Sequence, residues 1–126
     1  MIAVLDPDVV LATLLDAVRP GLETVREPGI FQPRGDAFFW VLDGRVVLAV
    51  NCQAVRKIWK RSGFSLRAAG GALHRARYVI PGEAVSQNGR QMVPCHRVAT
   101  PYWHLCIPAE LLPAGYPMPD DVTLAL

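Results

Sequence analysis

At 126 residues the chain has the length of one domain and can bury a core without disulfide or metal staples. A composition of 52 % apolar and 19 % charged residues excludes a disordered chain, and no apolar run approaches the roughly 20 residues that cross a bilayer. The net charge of +2 hides an asymmetry: residues 1–50 hold four Arg against seven acids, residues 51–99 seven Arg and two Lys against Glu83, and residues 100–126 three acids and no base.

A basic block between acidic ones is the usual footprint of a phosphate-binding surface. The plainer reading is a solvated basic face with no partner. Met1 to Pro7 has no basic n-region, so no signal peptide is expected. Cys52, Cys95 and Cys106 are odd in number and irregular in spacing, which fits reduced thiols in a cytoplasmic protein.

In chain order, Asp6-Pro7 starts a helix, with an acid at the cap and proline at the first helical position. Val9, Val10, Leu14 and Ala17 follow at helical spacing, and Arg19-Pro20-Gly21 is expected to end the element. A loop continues to Arg34. Ala37–Leu42 and Arg45–Val50 read as strands joined by Asp43-Gly44, a strong hairpin signal. Asn51 reads as the N-cap of a helix through Ser62, closed by Gly63; Val55, Ile58 and Trp59 form its apolar side and Arg56, Lys57, Lys60 and Arg61 fall mostly opposite.

Ser65–Ala68 and Ala72–Ile80 read as a second hairpin turning at Ala69-Gly70-Gly71. A polar loop from Pro81 to Gly89 is expected next, then a third hairpin, Arg90–Ala99 with Tyr102–Ile107, turning at Thr100-Pro101. That turn sets Cys95 opposite Cys106 and Arg97 opposite His104, with His96 on the other face beside Val98, Trp103 and Leu105. Val122–Leu126 is strand-like. The composite is a single α+β domain over residues 1–126, winged-helix-like, with two main helices and antiparallel hairpins. The helix of Asn51–Ser62 would lie at the major groove and the second hairpin, with Arg67, His74, Arg75 and Arg77, would act as the wing.

Two family resemblances bear on function. Nearly the whole chain resembles the C-terminal domain of the MobH-class conjugative relaxases (putative helicase/relaxase proteins). The resemblance is carried by Arg26-Glu27-Pro28-Gly29, by Val41-Leu42-Asp43-Gly44 before Val46–Val50, and by Ser62-Gly63-Phe64. It continues in Cys106-Ile107-Pro108-Ala109-Glu110-Leu111-Leu112 and the tail Pro117-Met118-Pro119-Asp120-Asp121. It implies a non-catalytic winged-helix accessory domain of mobile genetic elements that binds DNA in conjugation. More locally, Pro94-Cys95-His96-Arg97-Val98 is similar to the active-site signature of alkylguanine-DNA alkyltransferases, and Arg67-Ala68-Ala69-Gly70-Gly71-Ala72-Leu73 to that family's recognition-helix segment. That implies a Cys95 thiolate, generated with help from His96, that takes an alkyl group from a flipped-out base. Here the two segments stand further apart than in that family.

Cys95, His96, His104 and Cys106 could be read as a zinc set, but the strand alternation lets only three converge and the spacing lacks C-x-x-C, so no metal is expected. No phosphate-binding glycine loop and no hydrolase motif is present, and no cofactor is expected. The expected interface is Arg56, Lys57, Lys60, Arg61, Arg67, Arg75 and Arg77, with DNA of either strandedness and other domains of a larger protein as partners, and no membrane. The alternatives are an alkyltransferase-like repair or damage-sensing protein using Cys95, and a mobile-element protein-interaction or inhibitor domain.

Overall fold

A computed structural model describes residues 5–24, 36–81, 86–87, 90–91, 96–97 and 103–117. The fold is α+β. Helix α1 (Pro7–Thr24) precedes strands β1 (Ala37–Leu42) and β2 (Arg45–Asn51), then helices α2 (Cys52–Arg61) and α3 (Leu66–Arg75). Short strands β3 (Ser86–Gln87), β4 (Arg90–Gln91) and β5 (His96–Arg97) lead to β6 (Trp103–Pro108) and a 3-10 turn, Ala109–Leu111. The main sheet is antiparallel in the order β1-β2-β6-β5, and β3 pairs only with β4. Helix, hairpin, two linked helices, then further strands is an order compatible with a winged helix.

The start of α1 follows from its sequence: the Asp6 carboxylate accepts from the Asp8 amide at 2.9 Å, and Pro7 occupies the first turn, where its missing N–H costs nothing. Val10, Leu11, Leu14, Leu15, Val18 and Leu22 line its buried side. The expected stop at Arg19-Pro20-Gly21 is overturned, because α1 runs through Pro20 to Thr24. Proline forfeits one backbone bond in the helix interior, but continuing the helix keeps Leu22 in the stripe begun by Val18.

The first hairpin forms as expected. Asp43 and Gly44 have φ of 51° and 76°, the pair of positive values that a type I′ turn requires, and the register pairs Leu42 with Arg45 and Ala37 with Val50. Val46 to Val50 are all fully buried because both faces of β2 are covered. Val46, Leu48 and Val50 join Phe39, Leu105 and Ile107 against α1 and the buried sides of α2 and α3. Val47 and Ala49 join Phe38 and Cys106 on the reverse face, flanked by Trp40, Leu42 and Ile80. Burying each of Leu14, Leu48 and Leu73 contributes about 1.5–3 kcal/mol.

The principal correction concerns residues 65–80. Leu66–Arg75 forms helix α3, not the strands of a hairpin, so the described residues hold three α-helices rather than the two expected. The Ser65 hydroxyl accepts from the Ala68 amide at 3.4 Å, and Ala69, Gly70, Ala72 and Leu73 are buried at helical spacing. No β-branched residue interrupts Leu66 to Arg75. Gly70-Gly71 costs the helix about 1 kcal/mol per glycine relative to alanine, and the burial of Leu73 and its neighbours offsets it. The third hairpin is also revised. Arg90–Gln91 pairs with Ser86–Gln87, inside what was expected to be a loop, and of the described residues in this stretch only His96–Arg97 joins the main sheet. There His96 faces His104 and Arg97 faces Trp103, one residue away from the expected register. A one-residue slip reverses the faces, so His96 shares a face with His104 rather than lying opposite it. Cys95, Pro28-Gly29 and Val122–Leu126 lie outside the described residues.

Candidate nucleic-acid interface

Helices α2 and α3 pack on each other and on α1, joined by Ser62-Gly63-Phe64-Ser65. A four-residue turn containing glycine between two packed helices is the connection of a helix-turn-helix. Asn51 caps α2 by accepting from the Gln53 amide at 2.8 Å. At its other end the Gly63 amide donates to Lys60 O (3.2 Å) and the Phe64 amide to Trp59 O (2.9 Å). With Gly63 at φ 78°, these bonds form a Schellman motif.

Helix α3 closes in the same way with a different residue. The Arg77 amide donates to His74 O (3.1 Å) and the Tyr78 amide to Leu73 O (3.0 Å). Arg77 itself holds the left-handed position at φ 61°, where glycine is usual. Arg77 is therefore a helix-terminal residue, and Arg75 lies on the helix, so the expectation that both lie on a hairpin wing is overturned.

All seven sequence-expected basic residues are exposed. Ala54, Val55, Ile58 and Trp59 fix the rotation of α2. At about 100° per residue, Arg56, Lys57 and Lys60 then fall within an arc of about 100° opposite the core, with Arg61 at its flank. On α3, burial of Ala69, Gly70, Ala72 and Leu73 turns Arg67, Gly71, His74 and Arg75 outward. Apart from Arg56, none of these basic side chains has a hydrogen-bond or ion-pair partner among the described residues. Arg19 and Arg45, by contrast, are engaged. Arg45 pairs with Glu110, holding that carboxyl below the usual carboxylate range by hydrogen bonding. Arg19 donates to Gly115 O at 3.3 Å and lies over the Tyr116 ring. No acid occurs between Asn51 and Gly82. Asp8, on α1, is occupied by the Tyr78 hydroxyl, which is held above its ordinary pKa chiefly by that bond.

Gly71 enters the interface, and His74 passes from an expected wing strand to a helix face, only once α3 is seen as a helix. The signal for both was present in Ser65 as a cap and in the helical spacing of Ala69, Ala72 and Leu73. Trp59 is buried, and Trp40, Phe64, Tyr78 and Trp103 are half-buried. No aromatic side chain among the described residues is fully exposed as a stacking platform. His104 is buried with its ring edge-on to Phe38 at 5.1 Å, and His96 Nε2 lies 3.3 Å from Ile80 O. Among the described residues, no group of three or more His, Cys, Asp and Glu could hold a metal ion, and no helix is long and apolar enough to cross a membrane. No protein-family model, curated protein or solved structure matches the chain.

Proposed function

We propose that the chain is a DNA-binding module that meets duplex DNA through α2 and α3, with α3 as the element presented to the groove. The sequence resemblance to conjugative relaxases supports a role for such a module as a non-catalytic accessory domain in mobile-element transfer. The observation that carries this reading is the helix-turn-helix in which every Arg and Lys is exposed and no acid intervenes. Cations kept in water on a compact unit, while Arg19 and Arg45 serve the fold, are what phosphate contact requires. The lack of an exposed aromatic among the described residues favours duplex over single strand, because single-strand binders stack bases on such rings. Fluorescence anisotropy with a mixed-sequence duplex across a salt series tests it. With about five phosphates contacted, log affinity falls against log salt with a slope of about −4 to −5. A flat titration, or tighter binding to the corresponding single strand, refutes it.

A second reading is favoured by one observation: the segment similar to the alkyltransferase recognition helix does form the second helix of a helix-turn-helix. In that chemistry the Cys95 thiolate attacks the alkyl carbon on guanine O6. An S–C bond forms, the C–O bond breaks, and the guanine leaves with a proton supplied to its ring. Intact-mass analysis after incubation with an alkylguanine oligonucleotide separates the readings, since only alkyl transfer adds a stoichiometric mass to Cys95.

A further inference from the structure

Helix α3 holds a half-buried glycine on the side away from its core for which packing among the described residues gives no reason. A methyl group at Gly71 would meet, among the described residues, only the side chain of Arg75, with Nη1 at 3.1 Å and Cζ at 3.8 Å. No strand or neighbouring helix among the described residues requires the missing Cβ, and alanine is the better helix former.

Arg67, Gly71 and Arg75 are spaced four residues apart, so they form one ridge along the helix. The Arg75 side chain runs back toward the N-terminus, as long side chains on helices do, and its guanidinium rests in the notch over Gly71. That moves one cation a turn nearer to a second, an arrangement favoured when acceptors face both. Two residues on, just past the helix end, Arg77 occupies a left-handed position better suited to glycine. At both places the locally poorer residue is present, and at both an arginine is held in a defined position.

We propose that Gly71 is a positioning residue: it seats the Arg75 guanidinium along the exposed side of α3, so that its planar fork meets a pair of acceptors on duplex DNA. The acceptors are two phosphate oxygens or the O6/N7 edge of a guanine. The inference rests on the DNA-binding reading above.

The test uses the full chain and its Gly71→Ala, Arg75→Ala, Arg75→Lys and Gly71→Ala/Arg75→Ala variants. Melting temperature, anisotropy with a mixed-sequence duplex, and selection from a random duplex pool are measured for each. Gly71→Ala is expected to raise the melting temperature while weakening binding by roughly fivefold or more. In the Arg75→Ala background the same change still raises the melting temperature but has no further effect on binding. Arg75→Lys, which leaves residue 71 untouched but cannot present a fork, binds as weakly as Arg75→Ala. A changed sequence preference in Arg75→Ala identifies the guanine edge; a uniform loss with a salt slope shallower by about one identifies phosphate. The proposal is overturned if Gly71→Ala binds like wild type, if it weakens binding equally without Arg75, or if Arg75→Lys binds like wild type. Wild-type chain that shows no salt-dependent duplex binding overturns the DNA-binding reading itself, and the inference with it.

Discussion

Replacing Arg77 by glycine should stabilise the protein and weaken its hold on DNA. The left-handed conformation at φ 61° costs an L-residue roughly 1–2 kcal/mol. Glycine removes that cost but gives back part of it in unfolded-chain entropy, leaving a net gain of about 0.5–1 kcal/mol. For a domain of this size that raises the melting temperature by about 2–5 °C. The two capping bonds, from Arg77 N to His74 O and from Tyr78 N to Leu73 O, use backbone atoms and survive the change. Helix α2 supplies the control: Gly63 holds the matching position at φ 78°, and Gly63→Ala should destabilise by about 1 kcal/mol. Removal of one phosphate contact makes the salt slope shallower by about one. Thermal melts and anisotropy on the same samples decide the matter. A lower melting temperature for Arg77→Gly refutes the strain argument, and an unchanged salt slope refutes the placement of Arg77 at the interface.

Other substitutions test separate links. Arg56→Ala, Lys57→Ala and Lys60→Ala combined should leave the far-UV spectrum and fold intact, because each side chain is exposed, while making the salt slope shallower by about three. Arg75→Ala with Arg77→Ala should also fold and bind more weakly, with wild-type affinity as the refuting result. Leu73→Ala removes a fully buried side chain from α3 and should cost about 2–5 kcal/mol in urea titrations. Ser65→Ala, which loses a cap bond of 3.4 Å, should cost about 0.5–1 kcal/mol. The Arg45–Glu110 pair contributes only above the unfolded glutamate pKa, and the contribution is lost as pH falls through the lowered folded value. Both side chains are exposed, so Glu110→Gln should soften acid destabilisation slightly, and salt should erase the difference.

The sequence was legible where local chemistry and tertiary packing ask for the same thing. Asp43-Gly44 needs two positive φ values that few other pairs supply, and Asn51 stands where an apolar strand meets an amphipathic helix. Both therefore read correctly. Residues 65–80 misled because Gly70-Gly71 carries a strong local turn signal, while the helix depends on burial of Ala69, Ala72 and Leu73 against distant parts of the chain. The basic residues were identifiable from charge alone, but their geometry was not, since it follows from helix rotation. The short β3–β4 pairing was accessible: Asn88-Gly89 stands between its strands and is a recognised hairpin dipeptide. In β5 the slip arose because an apparent turn at Thr100-Pro101 fixes register only to within a residue.

Strand β2 ends at Asn51 and helix α2 begins at Cys52, with no residue between them. Asn51 is at once a ladder partner of His104, a donor to Asp36 O at 2.7 Å and the cap of α2. Such a junction has no slack. A slip of β2 by one residue would move the start of α2 by about 3.4 Å and rotate the helix by about 100°, carrying Ile58 and Trp59 away from the core. The strand's own apolar pattern cannot prevent this, since Val46 to Val50 present valine, leucine or alanine to either side. Alignment of the strand and aim of the helix-turn-helix thus become one mechanical variable, fixed at one end by the two-residue turn and at the other by the rotation that α2 needs to bury its apolar side. Lengthening the Asp43-Gly44 turn by one residue would act at a distance, misdirecting the basic helices without touching any of them.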